Sequence, residues 1–147
     1  MVYIFIIIII ILLDYFSKQK VIDKIPVGEK REISKNIFLW HVKNEGVAYG
    51  RFSKHINYIL ISTGAILSTL VYIFLKIPKD TKKFLKLSLA LVIGGGLGNF
   101  FDRLVNKKVT DFIYIKHKNA PIFNIADIFI FIGAVLCYIF SRIYYKK

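Results

Sequence analysis

The chain has 147 residues, of which 56% are hydrophobic and 16% aromatic, with 22 Lys and Arg against 9 Asp and Glu. This length suggests a single domain, and the composition, with its positive mean hydropathy, excludes an ordinary soluble protein. Several long apolar runs mark an integral membrane protein instead.

The formal charge of +13 would point to nucleic acid in a soluble domain. Here the lysines sit in short segments between apolar runs, and no contiguous basic patch carries a recognition motif. Anchoring to headgroups and anionic lipid explains them, and no nucleic-acid partner is expected. The single cysteine, Cys137, lies inside the last apolar run and cannot form an internal disulfide. Its apolar neighbours also make it a poor nucleophile. His41, His55 and His117 are scattered, and no Cys/His cluster has ligand spacing, so neither a metal nor a cofactor is expected.

Residues 2–13 are almost wholly aliphatic. No basic segment precedes this run and no small-residue cleavage site follows it, so it reads as a first span rather than a signal peptide. It continues to about residue 18 through Asp14 and Lys18, which stand at i, i+4 and share a helix face. Two readings stand for this pair: a surface ion pair closing the span, or a carboxylate set just inside the interface to support a site. Residues 19–55 then break the pattern, with Pro26, Gly28, charges of both signs and short alternating pieces such as Phe38-Leu39-Trp40-His41-Val42. They read as a small strand-rich insert outside the bilayer, with Trp40 at the interface. Asn44-Glu45-Gly46 opens a glycine-containing loop.

The second span covers residues 56–77, and a basic loop with Pro78 follows over 76–86. The third span covers about 84–103 and holds Gly94, Gly95, Gly96 and Gly98, small residues that let membrane helices approach closely. Residues 105–122 read as a polar, basic connection, and the last span covers about 123–143. Asn124 is placed to cap that last helix, and Asn124 and Asp127 face the same way at i, i+3. Four spans put both termini on one side. The dense lysines of the 76–86 loop lean towards cytoplasmic termini.

This topology brings Asp14, Asp102, Asp111 and Asp127 near one membrane face, together with Asn99, Arg103 and Asn124. Ionisable groups at such positions point to a functional site. Two carboxylates held together there cannot both ionise comfortably. A pair sharing one proton can use its ionised member as a base towards water and its protonated member to polarise a carbonyl. Arg103 could pair with Asp102 or hold a backbone near the site. The rival reading is a set of structural ion pairs at the membrane surface, and spacing alone does not select which two of the four aspartates act.

At these residues the sequence resembles the lipoprotein signal peptidases, the signal peptidase II type of membrane aspartic protease. Five blocks carry the resemblance: Asp14/Lys18, Asn44/Gly46, the Gly-Gly-x-x-Gly-Asn-x-x-Asp-Arg run over 94–103, Val-x-Asp-Phe over 109–112, and Phe-Asn-x-Ala-Asp over 123–127. One departure is Gly50, where the family's second block has a serine, so no catalytic task is given to that position. The resemblance implies four transmembrane helices with a small extracytoplasmic β-cradle from residues 19–55 and a mobile element over the site. It implies Asp111 and Asp127 as the catalytic pair. Asp14, Lys18, Asn44, Gly46, Asn99, Asp102, Arg103 and Asn124 would support the site or contact substrate. The implied activity removes the signal peptide from diacylglyceryl-modified prolipoproteins just before the lipidated cysteine. The enzyme would be a monomer in the bacterial inner membrane with its active site near the outer face, in contact with membrane lipid and inhibited by globomycin-type peptides. The alternatives are a small transporter or channel, which predicts acids spread through the membrane depth, and a non-catalytic membrane subunit, for which the acids would be incidental.

Overall fold

The computed structural model describes residues 1–46, 56–78, 82–118 and 120–145. In chain order the elements are α1 (Val2–Lys24), β1 (Lys30–Ser34), β2 (Ile37–Asn44), α2 (Ile56–Lys76), α3 (Lys83–Asn106), β3 (Val109–Ile115), β4 (Ile122–Phe123) and α4 (Ile125–Tyr145). Gly50, the departure from the family pattern, and part of the basic loop after Pro78 lie outside the described residues.

Among the described residues, four helices are long and apolar enough to cross a membrane. Their outward faces are apolar: Phe5, Ile61 and Phe131 are all largely exposed, as side chains bathed in hydrocarbon are. Helix α3 is the central element, half of it buried, with α1, α2 and α4 around it. Lipid supplies no hydrophobic drive between helices, so close contact through small residues holds them. A Cβ on Gly94 would meet Ile10 of α1 at 3.0 Å, one on Gly96 would meet Leu67 of α2 at 2.7 Å, and one on Gly133 would meet the Ser88 carbonyl at 2.8 Å. Away from the polar cluster, Phe74, Leu89, Ala90 and Ile93 form a dry core with Tyr3, Leu70 and Cys137 around it.

The four strands form one antiparallel sheet in the order β1-β2-β3-β4. It differs from the expected insert of residues 19–55 in two ways. First, α1 runs on to Lys24 instead of stopping near Lys18. Nothing from Gln19 to Lys24 breaks a helix, and the stop comes from Pro26, which holds Ile25 extended at φ −129°. Second, half of the sheet comes from residues 109–123, a segment expected to be a polar connection. Its basic residues flank the strand, whereas Val109, Thr110, Phe112, Ile113, Tyr114 and Ile115 are strand formers. The sheet seats on the helices through Val21, Ile25 and Phe112, with Leu39, Ile113 and Ile125 packed around them. Because β3 leads directly into β4 and α4, this seating brings residue 111 to the start of α4.

Candidate active site

Asp127 lies in the first turn of α4, and Asn124 is the residue that caps that helix. The Asp127 N–H donates to Asn124 Oδ1 at 2.9 Å, and the Asn124 N–H donates back to Asp127 Oδ2 at 3.2 Å. This is a reciprocal capping box built from Asn and Asp. It fixes the carboxylate against the helix N-terminus, where free N–H groups and the helix dipole favour negative charge. The second oxygen, Oδ1, accepts from Asn99 Nδ2 of α3 at 2.7 Å.

Asp111 comes from the middle of β3 and is buried. Its Oδ2 accepts from Asn44 Nδ2 at 2.9 Å and its Oδ1 from Asn124 Nδ2 at 2.8 Å. Burial pushes its pKa up to about 6, and the neighbouring charge of Asp127 adds to the rise; the amides of Asn44 and Asn124 and the charge of Lys18 oppose it. Asn124, fully buried, therefore touches both carboxylates: one through its amide donor, the other through its acceptor and backbone.

Behind the pair stands a buried cation. Lys18 Nζ donates to Asp14 Oδ2 at 2.6 Å and to Asn99 Oδ1 at 3.0 Å. It also lies 2.9 Å from Asp102 Oδ2, an ion pair without hydrogen-bond alignment. The amide oxygen of Asn99 thus accepts from Lys18 and, at 3.0 Å, from Asn124 Nδ2. That leaves its NH₂ group no direction but towards Asp127. Asp14 completes the shell, its Oδ1 accepting from the Ala126 N–H at 2.9 Å. The Asp14–Lys18 pair is therefore buried, with side chains 2% and 3% exposed, and the surface-pair reading of it is corrected.

Arg103 Nη2 donates to the Gly46 carbonyl at 3.1 Å, and the Gly46 N–H donates to Asn44 Oδ1 at 3.1 Å. The stretch after β2 is thereby tied to α3 and, through Asn44, to Asp111. All the site residues expected from the sequence converge: Asp14, Lys18, Asn44, Gly46, Asn99, Asp102, Arg103, Asp111, Asn124 and Asp127 belong to one contiguous network. Some contributors were not singled out as site residues. A Cβ on Gly98 would sit 2.7 Å from Asp14 Oδ2, and one on Gly95 would press on the Ala126 carbonyl, so these glycines let α3 reach α1 and the start of α4. The Gly-rich block signals close packing without saying against what. Lys43 was also missed; its ammonium donates to Thr110 Oγ1 at 2.8 Å. Burial lowers its pKa, the charge of Asp102 opposes that, and Lys108 and Lys18 add to it.

The pair lies below the top of the apolar shell. Past Asn99, α3 still shows exposed Leu104 and Val105, and α1 shows exposed Tyr15 and Phe16 beside Asp14. Six residues of helix separate Asn99 from Val105, about 9 Å at the α-helical rise. Exposed apolar side chains of α1 and α3 therefore continue past the level of the site, and the sheet adjoins it through Asp111.

The family model described as signal peptidase (SPase) II matches residues 6–143. A lipoprotein signal peptidase of Clostridium tetani (strain Massachusetts / E88) is 39% identical over 142 residues, covering 93% of this chain and 90% of that protein. One from Clostridium novyi (strain NT) is 35% identical over 134 residues, covering 88% and 90%. Among solved structures, a bacterial membrane enzyme determined by the in meso method at 2.3 Å resolution superposes with a TM-score of 0.88 at 30% identity, covering 99% of this chain and 92% of that one.

Proposed function

The chain belongs to the signal peptidase II family, and from that premise and the site geometry we propose that it is an aspartic endopeptidase using Asp111 and Asp127. Family membership makes it a peptidase of the lipoprotein signal peptidase type and a multi-pass bacterial membrane protein. The finer reading is that it removes the signal peptide from diacylglyceryl-modified prolipoproteins, cutting before the lipidated cysteine.

The observation that carries this reading is the pair itself: two carboxylates from different elements, both bonded to Asn124. In the proposed cycle the ionised carboxylate takes a proton from water as the water oxygen attacks the scissile carbonyl carbon. The protonated carboxylate hydrogen-bonds to the carbonyl oxygen as charge develops there. When the C–N bond breaks, the leaving amine takes a proton from the pair, and the starting state returns. Asn99 and Asn124 hold both carboxyl groups in fixed orientation throughout, which is preorganisation by side chains that are themselves locked. Asp14, Lys18 and Asp102 orient Asn99 and the start of α4, while Asn44 and Arg103 hold Gly46, just after β2, against the site.

Apolar side chains still exposed on α1 and α3 at the level of the site suit a substrate tethered by its own lipid, which would enter laterally with its acyl chains along the spans and its peptide under the sheet. In this proposal the enzyme works as a monomer in the inner membrane with the site near the outer face, and a globomycin-type peptide would inhibit it. A transport function needs acids distributed through the membrane depth, whereas Asp14, Asp102, Asp111 and Asp127 meet at one level. Cleavage of a purified prolipoprotein with and without its diacylglyceryl group tests the reading. The lipidated form should be cut before the modified cysteine and the unlipidated form left intact. Equal cutting of both, or of neither, contradicts it.

A further inference from the structure

The sheet has two unlike ends. Near Asn44 and Val109 it carries Asp111, and further along it seats on the helices. Beyond that seat β2 and β3 continue outward. Leu39 pairs with Ile113 and Ile37 with Ile115, and strand alternation puts all four on one side of the sheet. Leu39 and Ile113 pack around Val21 and Ile25. Ile37 and Ile115, on that same side, are 41% and 47% exposed, and Ile33 beside them is 60% exposed. The apolar underside that rests on the bundle thus runs on past it, uncovered.

The opposite side is finished differently. There Phe38 and Tyr114 lie 6.1 Å apart and Trp40 meets Tyr114 edge-on at 5.4 Å. The Lys30 ammonium covers all three rings, at 4.1 Å from Phe38, 5.2 Å from Trp40 and 4.3 Å from Tyr114. This cation-capped cluster, Trp40 included, lies on the side of the sheet away from the helix seat.

Three lysines surround the exposed isoleucines: Lys35 in the β1–β2 turn, and Lys116 and Lys118 just after β3. The two tips are tied by the Lys116 N–H, which donates to the Asn36 carbonyl at 2.8 Å. Among the described residues none of these lysines has an acidic partner. Height is set by the helices: apolar side chains on α3 stay exposed as far as Val105. The sheet seats on Val21 and Ile25, and α1 at Val21 is about one turn beyond Lys18. The underside is therefore at headgroup level.

We infer that the outer end of the sheet docks on the phospholipid headgroup layer beside the bundle, with Ile37 and Ile115 in the interface and Lys35, Lys116 and Lys118 on the lipid phosphates. Apolar side chains flanked by lysines are the composition that binds an anionic interface. Docking would fix the height of β3, and with it Asp111, relative to the bilayer.

The chain has one tryptophan, Trp40, on the side that this docking turns to water rather than to the interface expected of it, which makes a fluorescence test direct. The full-length protein is reconstituted in phosphatidylcholine–phosphatidylglycerol vesicles whose phosphatidylcholine is brominated high on its acyl chains. Wild type is compared with Trp40→Phe/Ile37→Trp, which moves the fluorophore to the underside. Quenching at position 37 should be at least twofold stronger than that of Trp40 in wild type. Adding Lys35→Gln, Lys116→Gln and Lys118→Gln should remove at least half of that difference. Equal quenching at the two positions overturns the docking, and quenching indifferent to the lysine changes overturns the phosphate contacts. Should the fluorophore variant fail to fold, a spin label on Ile115→Cys in a Cys137→Ala background reads the same point. Oxygen should reach that label better than a water-soluble nickel complex, and the reverse order overturns the docking.

Discussion

Replacing Lys18 by methionine separates the two tasks assigned to this residue. Its ammonium contacts Asp14 at 2.6 Å, Asp102 at 2.9 Å and the Asn99 amide oxygen at 3.0 Å, with the side chain only 3% exposed. Methionine keeps the stem packed but leaves two carboxylates without their counter-charge. Removing one partner of a buried ion pair costs about 3–5 kcal/mol. For a domain of this size that lowers Tm by roughly 6–20 °C. Activity should fall too, because the Asn99 amide oxygen then keeps only one of its two donors, Asn124 Nδ2, and its NH₂ group is held less firmly on Asp127. A second variant, Lys18→Met/Asp14→Asn/Asp102→Asn, removes the stranded charges. It should recover most of the lost Tm and little of the lost activity. The pH profile adds a readout that a packing role would not move. The charge of Lys18 lowers the Asp111 pKa, so its removal shifts any limb set by Asp111 to higher pH. Melting in detergent by circular dichroism, with kcat/KM measured across pH, gives all these values. A Lys18→Met protein that melts like wild type, or a charge-stripped variant with full activity, would refute the reasoning.

The remaining predictions concern the pair and its packing. Asp111 is protonated below a pKa raised to about 6; if the pair must hold one proton, kcat/KM declines as pH rises through that region, and a profile flat from pH 5 to 8 contradicts this. The raised value also means that ionised Asp111 destabilises the fold at neutral pH. From 3.8 to about 6 corresponds to about 3 kcal/mol at 1.36 kcal/mol per unit. By sign, that cost is absent below the unfolded pKa and complete above the folded one. Asp111→Asn removes it but turns one amide donor towards another, which costs about 1–2 kcal/mol, so the variant should be about 1–2 kcal/mol more stable than wild type at pH 7, and a clear loss of stability falsifies the burial argument. Gly95→Ala drives a methyl group into the Ala126 carbonyl and should cost about 1–3 kcal/mol by overpacking, with activity falling as α4 is pushed from Asn99; wild-type melting and activity would show that the contact relaxes freely.

The helices were legible because membrane spans are written in long aliphatic runs, and Asn124 as a cap was legible from its place before Ile125. The end of α1 was not: the charged pair Asp14 and Lys18 looked like the close of the span, but charge does not stop a helix and Pro26 does. Strand β3 was hidden by the lysines on either side of it, although its β-branched and aromatic residues carried the signal. The aspartates were recognisable from the family blocks, yet bottom-up physics could not choose among the four. Convergence of Asp111 and Asp127 depends on β3 pairing with β2 and leading back to α4, which is long-range information. The burial of Asp14 and Lys18 was hidden for the same reason, since it requires Gly98 of α3 to approach α1.

The central claim, that Asp111 and Asp127 perform the cleavage, is tested most directly by incubating a diacylated prolipoprotein in detergent with wild type, Asp111→Asn and Asp127→Asn, each checked for native melting and elution. Wild type should cut the substrate and each single variant should abolish cutting while remaining folded. Near-normal cutting by either folded variant would contradict the pair assignment and turn attention to Asp14 and Asp102.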